Sequence, residues 1–174
     1  MQTQANSESG FSLLETVFAI GILTVGALGM VAVFLQGMNS ATSSPGDLTA
    51  TQKAAEAMES VFSARDSHTL TWAQLRNGSD GGVFLNGPHP LKLAGDDGIV
   101  NTSDDGTIET IVLPGRDQMM GTPDDKTQVL SGYTREIQIV DLSADLRAIT
   151  VIVNYQVGTA YRTYTLTAYI STFA

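Results

Sequence analysis

The chain has 174 residues, a net charge of −9 and a pI near 4.4. So acidic a composition offers no basic patch that could neutralise phosphates, which argues against nucleic-acid binding. The absence of cysteine excludes a disulfide framework and any thiolate metal site. A chain of this length holds one domain and an anchoring segment.

An uncharged apolar segment follows a short polar N-terminus. Residues 16–46 contain no charged residue, and residues 16–35 are almost all apolar or glycine. A helix over residues 16–35, at about 1.5 Å per residue, covers a hydrocarbon core of roughly 30 Å. Glu15 stands at the start of this segment, where an unpaired carboxylate near lipid costs several kcal/mol. The sequence therefore predicts a membrane-spanning helix and a cationic partner for Glu15.

Two interpretations of this segment compete. In one it is a signal peptide or a plain anchor, although a signal peptide has a basic N-terminal region and a shorter apolar stretch. Residues 1–10 contain neither Lys nor Arg. In the other interpretation the chain is cleaved between Gly10 and Phe11, and the new amino group of Phe11 is the cation that Glu15 needs.

Residues 10–15, Gly-Phe-Ser-Leu-Leu-Glu, closely resemble the processing site of type IV pilins and type II secretion pseudopilins. The resemblance extends through the apolar helix to about residue 35. It implies that a prepilin peptidase cuts after Gly10 and that Phe11 becomes an N-methylated N-terminus. It further implies that Glu15 contacts the N-terminus of a neighbouring subunit during assembly.

The resemblance also implies a location and partners. The chain would span the bacterial inner membrane once before assembly, and would afterwards lie in a pilus, at the cell surface or in the periplasm. Its partners would be the prepilin peptidase, an inner-membrane assembly platform and other pilin subunits. Among such subunits we favour a minor pilin involved in pilus assembly. The alternatives are a major pilin, a type II secretion pseudopilin and a membrane-anchored calcium-binding surface domain that never polymerises.

The sequence divides into a predicted leader at residues 1–10, an apolar helix at 11–39 and a soluble head at 40–174. Pro45 lies in a polar stretch and predicts an interruption near 39–46, because proline disfavours helix at the preceding residue. A second helix is expected at 45–66. Apolar spacings of three and four residues define its predicted buried face: Leu48, Thr51, Ala55, Met58 and Phe62, with Ala54 and Val61 beside them.

The head contains a repeated acidic motif. Residues 67–106 are rich in turn formers, and the frame G-x-D-x₄-T-x-D-D occurs at residues 95–105 and again at 115–125. Clustered carboxylates with interleaved glycines suit Ca²⁺, although neither copy fits an EF-hand. The candidate ligands are Asp96, Asp97, Asn101, Asp104, Asp105, Asp117, Asp124 and Asp125. Two solvated acidic turns are the alternative, and no other cofactor is expected.

Strands are expected over residues 107–174. Alternation of polar and apolar residues predicts a strand at 134–140 and an antiparallel hairpin at 148–172. The outward stripe of that hairpin is expected to face solvent or a neighbour and consists of Tyr161, Thr163, Thr165, Thr167 and Tyr169. The predicted fold class is α+β and pilin-like, with the long N-terminal helix packed through its C-terminal half on an antiparallel β-sheet.

No catalytic motif accompanies these elements. The sequence has no nucleophile elbow, phosphate-binding loop or metalloprotease motif, and His68 and His89 stand alone. We therefore expect no catalytic residues and a structural rather than an enzymatic role.

Overall fold

A computed structural model describes residues 12–173, and within that range it describes all side chains except those of residues 39–44. The chain divides into two compact units, and the boundary in the sequence falls between Thr42 and Ser43. The first unit carries the apolar part of a helix, and the second is the head.

The helix α1 runs from Leu13 to Asp66, a length of 54 residues. The interruption predicted near residues 39–46 was therefore wrong, because the backbone is helical throughout and Pro45 lies inside the helix. A proline removes one main-chain donor and costs about 3 kcal/mol in a helix interior. In the head, the turns that follow Pro45 bury Ala50 and Ala54 completely, and this packing offsets the local penalty.

Six strands follow α1, and each pair of neighbouring strands is antiparallel. The main sheet has the order β1-β4-β5-β6, and β2 and β3 form a separate two-stranded sheet. A short 3₁₀ helix at Gly78–Asp80 precedes the first strand. The strand bounds are β1 His89–Pro90, β2 Thr110–Leu113, β3 Lys126–Val129, β4 Thr134–Ser143, β5 Leu146–Val157 and β6 Ala160–Ser171.

The coarse prediction of a long apolar helix with an antiparallel sheet is confirmed. The expected hairpin is present as β5 and β6, which pair over their full length from Leu146 opposite Ser171 to Val157 opposite Ala160. It turns at Gly158, whose φ of 60° lies in the left-handed region that glycine adopts without strain.

The buried face of α1 in the head differs from the predicted one. Met58 is buried and Phe62 half-buried as expected, but Leu48, Thr51 and Ala55 are exposed. The face that enters the hydrophobic core consists of Ala50, Ala54, Ala57, Met58, Val61 and Ala64. It is mostly alanine, and it includes Ala54 and Val61, which the prediction placed beside its apolar row. Small side chains let a helix approach its neighbours closely, as at Gly46, where an added Cβ would press against Val157.

Candidate functional site

The apolar part of α1 is the first candidate site. Residues Leu13–Met38 form a stretch of 26 residues that is long and apolar enough to cross a membrane, with a mean hydropathy of 2.5. No residue in its most apolar 18-residue part is buried, and its large apolar side chains are between 52% and 82% exposed. A core helix of a soluble domain would be covered by the rest of its chain. An exposed apolar surface of this length is typical of helices that lie in lipid or against other helices.

The polar groups inside this stretch bond to the helix itself. The Thr16 hydroxyl donates to the Ser12 carbonyl at 3.1 Å, and the Thr24 hydroxyl donates to the Ile20 carbonyl at 2.7 Å. A hydroxyl that bonds to the preceding turn needs no water, so both threonines are compatible with an apolar environment. The only ionisable side chain of the stretch is then Glu15.

Glu15 lies in the first turn of α1, where the helix dipole favours a carboxylate. Gly10 and Phe11, the predicted processing residues, lie outside the described residues. Within residues 12–173 no Lys or Arg forms an ion pair with Glu15. The first basic residue of the sequence is Lys53, which belongs to the head.

The second candidate site is the repeated acidic motif, here named loop A (residues 95–105) and loop B (residues 115–125). In loop A, the Ile99 amide donates to the Asp97 carboxylate at 2.8 Å. Twenty residues on in loop B, the Met119 amide donates to the Asp117 carboxylate at 3.0 Å. The repeated sequence therefore folds into a repeated local structure.

The Thr and the Asp pair at the end of the motif also repeat their bonds. The Thr102 hydroxyl donates to Asp104 at 2.6 Å, and the Thr122 hydroxyl donates to Asp124 at 2.8 Å. Asp105 and Asp125 accept main-chain amides from residues 101 and 121, at 2.9 and 2.6 Å. These bonds lower the pKa of Asp104 and of Asp124, with the threonine hydroxyl as the largest cause in each.

The hydrogen bonds within loops A and B bear on the prediction that these loops bind calcium. Six carboxylates of these loops accept hydrogen bonds from backbone amides or threonine hydroxyls of their own loop, namely those of Asp97, Asp104, Asp105, Asp117, Asp124 and Asp125. In the part of the chain that the structure describes, no three Asp, Glu or His side chains gather as metal ligands would. A carboxylate that accepts one such bond keeps further lone pairs, so these hydrogen bonds by themselves do not decide whether the loops take up calcium. Calcium binding therefore stays a prediction, which calorimetry of the full chain with millimolar Ca²⁺ would refute by showing no heat of binding.

Loop A is joined to the sheet by a buried asparagine. Asn101 has a φ of 63° and is buried, and its side-chain amide donates to the Arg135 carbonyl at 3.1 Å. Its side-chain oxygen accepts from the Arg135 guanidinium at 2.9 Å. Ile99 beside it is 1% exposed. Loop A is thus attached to the head core through Ile99 and Asn101.

Loop B has no such attachment. Gly121 occupies the position of Asn101, and Met119 and Met120 are 63% and 61% exposed. Loop B connects β2 to β3 and lies at the end of that two-stranded sheet. The same local structure is therefore attached to the core in one copy and lies in solvent in the other.

A buried ionic cluster joins α1 to the sheet and was not predicted. Glu109 is buried and lies 2.7 Å from the Lys53 ammonium and 3.4 Å from the Arg135 guanidinium. Burial lowers the pKa of Arg135, and Glu109 opposes that shift. Burial likewise opposes the charge of Lys53, but the hydrogen bonds that its ammonium donates to Glu109 and Glu56 outweigh it and raise the Lys53 pKa. The sequence offered one indication of this cluster. Arg135 stands two residues before Ile137 in a strand, so the two side chains lie on the same, buried face.

Comparison with known proteins found no relative of this chain. No protein-family model matches this chain, and no curated protein or solved structure is similar enough to count as a match. The resemblance to type IV pilins therefore rests on residues 10–15 and on the apolar helix that follows them.

Proposed function

We propose that this protein is a subunit of a filament whose shaft is a bundle of apolar helices drawn from a membrane. One observation supports the proposal most directly. The apolar stretch of 26 residues is exposed to solvent along its most apolar part, and Glu15 lies in its first turn. A plain anchor has no use for that carboxylate, which is costly near lipid. A helix bundle would cover the apolar surface and could supply a cation from a neighbouring chain.

Within that class, the protein we propose is a type IV pilin-like subunit, and among these a minor pilin involved in pilus assembly. The support is the motif at residues 10–15 and a head whose segment from Ser67 to Glu109 is largely loop. A major pilin and a type II secretion pseudopilin would share the motif. The proposed role includes no catalytic step.

In this proposal the chain spans the inner membrane until cleavage after Gly10. The new amino group of Phe11 then pairs with Glu15 of a neighbouring subunit. No Lys, Arg or His occurs before Lys53, so the chain has no side-chain cation close in sequence to Glu15. Opposite charges attract strongly in a low-dielectric bundle, and the pair would favour one axial stagger between subunits.

The test compares the native chain with Glu15→Gln, which removes the charge and keeps the shape. We expect Glu15→Gln to be cleaved normally but to enter sheared surface filaments about tenfold less, because one charge of the pair is lost. Glu59→Gln, on the exposed side of α1 in the head, is the matched control and should enter filaments normally. Mass spectrometry of the N-terminus should give a methylated Phe11.

Two outcomes would contradict the proposal. An intact Met1 terminus confined to the membrane would make the apolar stretch a plain anchor. Normal incorporation of Glu15→Gln would remove the proposed role of the carboxylate, even if cleavage occurred.

A further inference from the structure

The side chains that vary between loops A and B include a reversal of charge. At the second position of the shared motif, loop A has Asp96 and loop B has Arg116, and both residues are exposed. At the fifth and sixth positions, loop B exposes Met119 and Met120, whereas the corresponding residues of loop A are buried or half-buried. The two copies therefore share a turn but present opposite charges to solvent.

Loop B is the tip of an arm, defined here as residues 110–129 and made of β2, loop B and β3. Strand β3 is exposed along its whole length. The large exposed side chains of the arm are all apolar: Val112, Leu113, Met119, Met120 and Val129. Apolar side chains gathered in this way on an exposed segment mark a surface that contacts a partner.

The arm also carries cations that have no carboxylate partner within residues 12–173. This range includes all nine Lys and Arg of the sequence, and six of them form ion pairs: Lys53, Arg65, Arg76, Arg135, Arg147 and Arg162. The other three are Lys92, Arg116 and Lys126, and the last two belong to the arm. The aspartates of loop B instead accept hydrogen bonds from its own amides and threonine hydroxyl. The arm cations can therefore pair with carboxylates of another molecule.

A pocket of about 500 Å³ lies beside loop A. The residues that line it include Val83, Phe84 and Leu85 from the segment before β1, and Asp97 and Asp104 from loop A. The Leu85 amide donates to the Asn101 carbonyl at 2.8 Å, which joins the two segments. The pocket is thus built on the part of loop A that is attached to the head core.

The surroundings of this pocket are acidic. Asp80 and Asp96 are exposed and adjoin lining residues in the sequence, and no Lys or Arg occurs from residue 93 to residue 115. The pocket combines apolar lining residues with exposed carboxylates, whereas loop B combines two thioethers with an unpaired guanidinium. Methionine is flexible and fills irregular apolar spaces, and arginine forms directed pairs with carboxylates. The two surfaces are therefore complementary.

We propose that loop B of one copy of this chain docks into the pocket beside loop A of a second copy. Met119 and Met120 enter the pocket, and Arg116 pairs with Asp96 of the second copy. The chain has a net charge of −9, so two copies repel each other over most of their surface. This contact is a place where opposite charges meet, and it thereby selects how the heads approach each other.

The proposed contact joins two different surfaces, so it is heterologous and can repeat from one copy to the next. Repetition around the membrane normal keeps every apolar stretch in the same membrane. The inference goes beyond the proposed function. It requires neither cleavage after Gly10 nor the charge of Glu15, and it is tested on the uncleaved chain.

The test uses the absence of cysteine, which leaves no background for disulfide cross-linking of the full chain in membrane vesicles. Ser103 is exposed and lines the pocket. A mixture of Met120→Cys and Ser103→Cys chains should give at least about fivefold more disulfide dimer than either variant alone. Met120→Cys mixed with Thr165→Cys, an exposed position of β6, is the matched control and should give little dimer. A chain that carries both Met120→Cys and Ser103→Cys should form a ladder of larger oligomers.

An exchange of charges tests the ion pair. Arg116→Asp in the Met120→Cys chain should lower the yield of mixed dimer about fivefold, and Asp96→Arg in the Ser103→Cys chain should restore it. Each substitution introduces the residue that the other copy of the motif has at this position, so the turn is retained. Glu59→Arg in the Ser103→Cys chain, on the exposed side of α1, is the control and should restore nothing.

Four results would overturn the proposal. The first is equal cross-linking of Met120→Cys to Ser103→Cys and to Thr165→Cys. The second is an internal disulfide as the main product of the double variant, which would mean that loop B closes on its own pocket. The third is a Met120→Cys adduct to a different protein. The fourth is a yield that Arg116→Asp leaves unchanged or that Asp96→Arg does not restore.

Discussion

Loops A and B have one local structure and two different surroundings. In both loops a backbone amide and a threonine hydroxyl donate hydrogen bonds to aspartates, and the residues involved lie twenty positions apart in the two copies. In loop A these bonds hold Ile99 and Asn101 inside the head core, whereas in loop B they hold Met119 outside it. Short polar motifs can therefore specify a turn without specifying its tertiary role. That role depends on the two or three residues that vary between the copies.

The largest expected difference concerns the apolar position of each loop. Ile99→Ala should reduce the free energy of unfolding of the head by about 3 kcal/mol, because Ile99 is buried and its truncation leaves a cavity. Met119→Ala should change it by less than about 0.5 kcal/mol, since most of that side chain is in solvent. Denaturant unfolding followed by the fluorescence of Trp72, the only tryptophan, measures both. Equal effects would mean that loop B packs as loop A does.

A reciprocal exchange of Asn101 and Gly121 sharpens the comparison. Asn101→Gly keeps a residue that accepts a positive φ but removes the amide that bonds to Arg135, and should cost about 2 kcal/mol. Gly121→Asn should cost less than about 1 kcal/mol, because asparagine tolerates the left-handed region. The same unfolding measurement checks both. A large loss in Gly121→Asn together with none in Asn101→Gly would reverse the assignment of the anchored loop.

The smallest expected effects are on protonation. Asp104 and Asp124 should titrate below 3.8, because the threonine hydroxyls and backbone amides stabilise their charged forms, whereas burial raises the pKa of Asp105 above that value. Carboxyl-carbon NMR of the head resonances measures each group. Thr122→Val should raise the pKa of Asp124 and leave that of Asp104 unchanged. A change at both aspartates would show that the loops are coupled.

These shifts have opposite consequences for stability. A carboxyl with a lowered pKa stabilises the fold above its unfolded pKa of about 3.8, and that contribution is lost as the pH falls through the folded value. Asp105 acts in the opposite sense. Its folded form holds the proton more tightly, so its contribution becomes more favourable as the pH falls through its folded pKa towards 3.8. Asp105→Asn should therefore remove a gain in stability on mild acidification.

The sequence was informative where one physical signal dominates. The uncharged run after Glu15 predicts the exposed apolar helix, and strict alternation predicts the hairpin of β5 and β6, with its buried and exposed faces. The frame shared by residues 95–105 and 115–125 predicts two related turns. In these cases the pattern and the local structure have the same cause.

Other features depend on distant parts of the chain. The propensity of Pro45 predicts a helix break, but buried alanines in the following turns outweigh it. The attachment of loop A depends on Arg135, thirty-four positions beyond Asn101, and no spacing rule connects them. Similarly, β3 pairs with β2 across loop B rather than with the main sheet. Such choices depend on which partner a segment meets, and local periodicity does not contain that information.

The apolar part of α1 has one further consequence. Its side chains are apolar on every side, apart from Glu15, two back-bonded threonines and Gln36, so no stripe marks one face as inward. In a bundle such a helix would turn about its long axis at little energetic cost. Its height relative to a neighbour would instead be fixed by Glu15. A filament built in the proposed way would thus have a firmly set rise per subunit and a loosely set azimuth, and its twist would be left to the contacts between heads.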